Sequence, residues 1–427
     1  MRRRRKVKYW IGQLHLWLGL VSGLVVLIVS LTGCLFVFQK EISEAMHKEW
    51  FFVEAARAGG TPSGKRGETL QLGVPGATLP LGVLKEKAAA VLGASCPVAN
   101  IITWSQPDRT WEFMAYREND SALTYFGAVE YFKSVYINPY TGAVTGVRDY
   151  KTDVFNIVKY LHWSLLLSTR YGQPVVGWST LVFVILLVTG LVLWWPGKWT
   201  KALRDRSFKI KWKASFRRVN YDLHNVPGFY SLLPALLISL TGLVFAFRWA
   251  AGFFYFVAAG TTAAPRVVAA RSDTAVVVSV PRVGGVGDPA GAGRVDPLER
   301  ALQEARLRLP AASRYMVSPA VGREGVVYLY AYRGKETYYD YDVLQFDQYS
   351  GVLLDHRRDK DKNSGEKLVG MNYDIHVGAI AGLTGKIIAF IASLICASLP
   401  VTGFIIWWGK KYKKIDKMPN KERGPMV

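Results

Sequence analysis

The sequence predicts an α-helical integral membrane protein with four transmembrane helices, built as two parallel repeats of one unit: helix, outward-facing α+β domain, helix. Three observations predict it. Four long segments are apolar and nearly uncharged, three basic clusters flank them, and the two halves of the chain match each other.

The apolar segments are residues 11–38, 175–195, 224–247 and 387–408. A bilayer core of about 30 Å needs about 20 apolar helical residues, and each segment supplies that many. The chain has 427 residues and a formal net charge of +22. Its basic residues sit beside the spans. Residues 1–8 hold six Lys/Arg, residues 197–220 nine and residues 409–427 seven. Placed there, the charge serves topology rather than nucleic-acid binding, and it sets both termini and the middle loop on the cytoplasmic side. The expected order follows. It runs from a basic N-terminus and first helix (1–40) to an outward domain (41–155), then an outer-side helix and second span (156–196). After a basic loop (197–220) come a third span (221–250), a second outward domain (251–372), an outer-side helix and fourth span (373–409), and a basic tail (410–427). Nucleic acid is not an expected partner; membrane lipid is.

Of the three cysteines, only Cys96 falls in an outward domain, so no disulfide is expected within those domains. Leu31-Thr32-Gly33-Cys34 has the look of a lipoprotein cleavage site. The preceding apolar run is about 25 residues, however, against about 7–15 for a signal peptide. The same Leu-Thr-Gly recurs at Leu240-Thr241-Gly242 with leucine after it. The motif reads as helix packing.

The repeat needs no gap in its first part. Leu14, His15, Gly19, Ser22, Thr32 and Gly33 fall on Leu223, His224, Gly228, Ser231, Thr241 and Gly242. The returning spans end alike, in Thr189-Gly190 with Trp194-Trp195 and in Thr402-Gly403 with Trp407-Trp408. Residues 82–93 and 296–310 have helical character, and the alternating run from Val327 to Tyr332 reads as a half-buried strand. Tyr140-Thr141-Gly142 and Tyr349-Ser350-Gly351 read as hairpin turns. The Gly-, Ala-, Val- and Pro-rich stretch 260–295 reads as a linker carried by the second unit alone. Gly60 to Arg66 lacks the spacing of a phosphate-binding loop, and no nicotinamide or flavin motif occurs.

Four of the six histidines sit at matched positions, His15 with His224 and His162 with His376. A single histidine of this kind is commonly a packing residue bonded to a backbone carbonyl. Four related by a repeat suggest function, because an ionisable group at a bilayer needs a partner. Depth pairs each with its symmetry mate: His15 and His224 near the cytoplasmic face, His162 and His376 near the outer face. The stretch from His162 to Trp195 would span about 50 Å as one helix. A bend is therefore expected at 168–174, and at 382–386 in the second unit. Zinc usually takes four ligands, and no Cys, Asp or Glu within the spans completes such a set. A b-type haem needs two axial ligands and apolar walls. Two such haems are expected, one per pair, with the small residues Gly19, Ser22, Gly228 and Ser231 making room, although small residues serve helix packing equally well. Covalent c-type haem is excluded by the absence of Cys-x-x-Cys-His. Arg170 and Lys386 are candidates for the haem carboxylates, with interfacial snorkelling as the competing role. His47 and His356 lack repeat partners and read as surface histidines.

At these residues the chain resembles a bacterial family, the PepSY-associated transmembrane-helix proteins, which includes FoxB-like and PiuB-like inner-membrane proteins linked to iron uptake. The resemblance rests on Leu14-His15, Leu161-His162, Leu223-His224, Ile375-His376, the two Leu-Thr-Gly motifs, the Gly190 and Gly403 ends, and the turns 138–142 and 347–351. It implies an inner-membrane protein with two PepSY-like periplasmic domains and two haems, which reduces the iron of ferric siderophores. The electron donor and the siderophore are left open. Trp104, Trp111, Tyr338, Tyr339 and Arg333 are candidates for a cleft holding the ferric chelate. Two other readings stand beside this one: a non-enzymatic sensor or protease modulator, and an iron or haem permease. The scarcity of charged residues inside the spans argues against the permease.

Overall fold

A computed structural model of the chain describes residues 2–54, 77–265, 269–274, 296–334 and 337–416. The stretch around Gly60, most of the linker 260–295 and the end of the basic tail lie outside the described residues.

Fifteen α-helices and eight strands are described. The helices that build the apolar part are α1 (Arg2–Val37), α6 (Val154–Ser164), α7 (Thr169–Trp194), α9 (Phe216–Tyr230), α10 (Leu232–Ala246), α14 (Asn372–His376) and α15 (Gly382–Asp416). The shorter ones are α2 (Gln39–Met46), α3 (Lys48–Phe51), α4 (Leu81–Leu92), α5 (Tyr125–Ala128), α8 (Lys201–Phe208), α11 (Arg248–Ala259), α12 (Pro297–Arg308) and α13 (Ser364–Gly370).

Among the described residues three helical stretches are each long and apolar enough to cross a membrane: Lys6–Val37, Thr169–Trp194 and Ala379–Lys410. The apolar segment expected at 224–247 is not one straight helix. It is α9 and α10, bent by 67° at Ser231. The cause is local. Pro234 has no N–H to give the carbonyl of Tyr230, and its ring crowds that carbonyl, so the helix breaks one turn upstream.

The other breaks fall just before the expected places. Between α6 and α7, Leu165 and Leu166 take left-handed φ values of 55° and 61°. These are unusual for leucine and are held by hydrogen bonds on both sides. The Leu166 N–H donates to the Tyr160 carbonyl at 3.2 Å, and the Leu166 carbonyl accepts from Tyr125 N–H at 2.9 Å. Gly172 lies so close to the Ser164 carbonyl that a Cβ there would be 1.9 Å from it. In the second half the break runs from Val377 to Ala381, and α15 starts at Gly382.

The strands are β1 (Asn100–Trp104), β2 (Trp111–Glu118), β3 (Val129–Ile137), β4 (Val144–Asp149), β5 (Arg314–Ser318), β6 (Val326–Tyr332), β7 (Tyr341–Asp347) and β8 (Leu353–Arg357). They form one eight-stranded sheet in the order β4-β3-β2-β1-β5-β6-β7-β8. Each inserted segment contributes a four-stranded antiparallel half. The seam is β1 against β5, with Ile101 opposite Val317 and Trp104 opposite Arg314. The sequence reading treats the inserts as two domains; here they share one sheet and one core.

That core lies under α4 and α12, which bury Leu81, Leu84, Ala88 and Leu92, and Leu298, Ala301, Leu302 and Ala305, against Ile101, Phe113, Val317, Leu329 and Phe346. The second half also caps the helix of the first. The N–H of Leu81, a free donor at the start of α4, donates to Glu299 Oε2 of α12 at 2.6 Å. The two sequence turns have one geometry. The side chains of Asn138 and Asp347 each accept two backbone N–H groups of their own turn, and Gly142 and Gly351 take φ of 69° and 67°. Positive φ there favours glycine.

Candidate functional site

The four matched histidines form two pairs. The ring centres of His15 and His224 lie 6.4 Å apart, and those of His162 and His376 6.0 Å apart. Each pair faces a cavity. The cavity at His15 and His224 has a volume of about 600 Å³ and is lined by Gly12, Gly19, Gly190, Gly228, Gly403 and the rings of Trp194 and Phe229, among others. The cavity at His162 and His376 measures about 330 Å³ and is lined by Gly33, Gly177, Gly242, Phe36, Phe245 and Tyr373, among others. The second lies next to the sheet: Lys159 lines it, and the same ammonium sits 5.8 Å from the Phe132 ring of β3. Val26 and Phe183 line both cavities and so form the wall between them.

A single device holds all four rings. His15 Nδ1 lies 2.9 Å from Thr189 Oγ1, and His224 Nδ1 lies 2.9 Å from Thr402 Oγ1. His376 Nδ1 is 2.9 Å from Thr241 Oγ1 and 3.0 Å from the Ile238 carbonyl. His162 Nδ1 is 2.8 Å from the Val29 carbonyl and 3.3 Å from Thr32 Oγ1. A carbonyl can only accept, so Nδ1 carries the proton. The threonines agree, because each spends its own proton on the carbonyl four residues back. Thr32 donates to Ile28 at 2.7 Å, Thr189 to Ile185 at 2.8 Å, Thr241 to Leu237 at 2.9 Å and Thr402 to Ser398 at 2.9 Å. With Nδ1 protonated, the lone pair sits on Nε2, the tautomer that presents a metal ligand.

The glycine after each threonine completes the cradle. A Cβ at Gly33 would lie 3.3 Å from the His162 ring, at Gly190 3.4 Å from His15, at Gly242 3.6 Å from His376 and at Gly403 3.2 Å from His224. All four Thr-Gly pairs therefore seat histidines, including those at 32–33 and 241–242, where the sequence suggests helix packing. The signal was present, since each Thr-Gly has one matched histidine, but the partners are more than a hundred residues apart.

The spacing of the pairs can be compared with known chemistry. An imidazole nitrogen lies about 2.0 Å from a metal it binds and about 1.1 Å from its own ring centre, so two rings on opposite sides of one metal sit about 6.2 Å apart, and two at a tetrahedral angle about 5 Å. Both pairs match the opposite-side separation. Among the described residues no group of three or more His, Cys, Asp or Glu gathers at one point. Each pair thus offers two nitrogens inside apolar walls, a donor set that fits a b-type haem and not a four-ligand zinc site.

Of the other candidates, Gly19, Ser22 and Gly228 line the larger cavity, while Ser231 sits at the bend, its hydroxyl donating to the Gly228 carbonyl at 3.3 Å. Arg170 and Lys386 lie outside the linings of both cavities. Arg170 is exposed and lies over the Tyr171 ring, and Lys386 is buried against Glu41 at 2.5 Å. The cations that line them are Lys8 and Lys410 at the larger cavity and Lys159 at the smaller. Lys159 precedes His162 by one helical turn, a spacing visible in the sequence. His47 stacks on Trp50 at 4.0 Å, and His356 Nε2 lies 3.1 Å from Asp342 Oδ2. Trp111 is core, 2% exposed, and Arg333 is paired with Asp340 and Asp342 at 2.8 and 2.9 Å. Neither is free to hold a chelate.

Long apolar helices and two cavities between them, each flanked by paired histidines, define a multi-pass membrane protein with a large inserted sheet. The chain matches the PepSY-associated TM region over residues 13–410 and belongs to that family. A comparison with curated proteins finds no match.

Proposed function

We propose that the protein is a di-haem b electron-transfer protein of the bacterial inner membrane that reduces ferric chelates, siderophores included, on the side of the sheet. In this reading α9 and α10 are one broken span. That makes four spans in two parallel repeats, with both termini cytoplasmic and the sheet periplasmic. The single sheet supports the parallel arrangement, because both inserts must emerge on one face to pair β1 with β5.

The observation that carries the reading is the fourfold histidine cradle: two pairs about 6 Å apart, each Nδ1 held by a threonine hydroxyl, those of His162 and His376 by a carbonyl as well, and no hydrogen bond at Nε2 among the described residues. Haem bound at both pairs would supply two one-electron carriers stacked through the bilayer. The residues do the rest. The threonines fix ring orientation and tautomer, the glycines let a flat ring approach, and the aromatic and aliphatic walls exclude water. Val26 and Phe183 keep the two sites adjacent but separate. Reduction of Fe(III) to Fe(II) takes one electron and no covalent step on the protein, and Fe(II) is held less tightly by hard oxygen ligands.

The test is the absorbance spectrum of purified protein expressed with haem precursor. Two low-spin b-haems per chain are expected. His15→Ala and His224→Ala should each remove one haem, and His162→Ala and His376→Ala the other. A colourless protein overturns the proposal.

A further inference from the structure

The seam between the two half-sheets carries an arginine that makes no ion pair within 4 Å among the described residues, although Asp374 feels its charge. Arg314 opens β5 opposite Trp104, the last residue of β1. Its guanidinium lies 4.3 Å from the Tyr332 ring, 4.5 Å from Tyr338 and 5.6 Å from Trp104. The residue is 9% exposed, yet it has no hydrogen-bond or ion-pair partner among the described residues. Neighbouring cations differ. Arg109, also stacked on Trp104, pairs with Glu44 at 2.7 Å, and Arg333 pairs with two aspartates. The acid facing Arg314 is Asp374, but its Oδ2 accepts the Tyr338 N–H at 2.9 Å and its Oδ1 is buried without a partner. A stacked guanidinium keeps its five N–H donors in the ring plane, a fork that matches a carboxylate. None of its nitrogens is among the described buried polar atoms without a partner, so the fork reaches solvent and is open to a ligand.

The same residues lead inward. Tyr338 is 44% exposed and meets Tyr373 edge-on at 5.2 Å. Tyr373 lines the cavity of His162 and His376. One ring contact therefore joins an exposed tyrosine to a wall of the sheet-side cavity.

We infer that Arg314, Tyr338 and Trp104 form a docking site for an anionic, carboxylate-bearing metal chelate, set at the outlet of the sheet-side cavity through Tyr373. The inference deepens the electron-transfer reading and takes its direction from it; the binding itself stands on the geometry of the seam. Arg314 meets the carboxylates, the rings cover the apolar part of the chelate, and Tyr338 brings it within two rings of His376.

The experiment titrates full-length protein in detergent with gallium(III) citrate, which has the charge and shape of a ferric chelate and cannot be reduced. Binding is read by calorimetry and by quenching of tryptophan fluorescence. Arg314→Gln should weaken binding at least tenfold, with Arg314→Lys in between. Equal affinity in wild type and R314Q, or no binding by wild type, overturns the site. If R314Q does not fold, Y338A replaces it: a several-fold loss supports the site and no change overturns it. Haem content in the same samples separates the two proposals, because a colourless protein that still binds gallium citrate sinks the electron-transfer reading and leaves the docking site standing.

Discussion

His224 Nδ1 and Thr402 Oγ1 meet at 2.9 Å, and Thr402 passes its own proton to the Ser398 carbonyl at 2.9 Å. The hydroxyl is therefore an acceptor, and the imidazole has one tautomer. Thr402→Val keeps the shape and removes the acceptor. Loss of such a partner costs about 10–100-fold in metal-ligand affinity. The expected outcome is faster loss of one haem to an apo-globin acceptor, with the other haem unaffected. Thr402→Ser should restore retention. Equal retention in the valine variant would show that the ring is oriented by packing alone.

Gly403 and Gly33 act through space rather than charge. A Cβ at either would sit 3.2–3.3 Å from a histidine ring carbon, tighter than the ring can accept without moving. Gly403→Ala should lower occupancy at the His15 and His224 pair, and Gly33→Ala at the His162 and His376 pair. Intact helical circular dichroism should accompany both losses. Pigment analysis of each purified variant makes the check, and full occupancy in both would mean that the rings have slack.

Much of this architecture was legible because it rests on composition. Spans, basic flanks and the repeat are local or self-similar signals, and the helices at 82–93 and 296–310 appear as α4 and α12. The pairing of the histidines followed from depth. What escaped the reading depends on partners distant in sequence. Nothing in β1 or β5 says that they pair with each other, so one sheet was read as two domains. Thr189 and Thr402 carry a pattern, but their hydrogen bonds cross 174 and 178 residues. Lys386 is near His376 in sequence, whereas α15 turns it towards Glu41. The bend at Ser231 has its sequence mark in Pro234, which hydropathy alone does not register.

Topology has its own test. Reporter fusions after Lys40 and after residue 260 should report the periplasm, and fusions after residue 205 and at Val427 the cytoplasm. The bent pair α9 and α10 makes the second of these decisive. A cytoplasmic signal there would mean that the pair re-enters and does not cross, and the parallel repeat would fall.

Asp342 ties β7 to its surroundings. Burial alone would raise its carboxyl, but hydrogen bonds from Arg333, the Asp359 N–H and His356 outweigh burial and hold it below the usual carboxylate value. A depressed carboxylate stabilises the fold above its unfolded pKa of about 3.9, and that share is lost as pH falls through the lower folded value. Thermal stability of the sheet should therefore drop below about pH 4. Asp342→Asn should remove about 2 kcal/mol at neutral pH, as expected for a hydrogen bond to a charged group. It should also flatten the acid limb of the pH profile.

Lys159 lines the sheet-side cavity one turn before His162, and its ammonium lies 4.8 Å from the Tyr160 ring and 5.8 Å from Phe132. An aromatic-backed cation at the edge of an apolar cavity suits a carboxylate that reaches out from a ligand held deeper inside. If the cavity holds haem, Lys159 meets a propionate there. Lys159→Gln should then leave both histidines in place, so the low-spin spectrum persists, while the haem at His162 and His376 is lost several-fold faster and its midpoint potential falls. The direction follows from charge: a nearby cation favours the reduced form, which carries one positive charge fewer. Lys159→Arg should keep the wild-type potential. A potential unchanged in Lys159→Gln would place the lysine outside the reach of the ligand and leave it as a packing residue under β3.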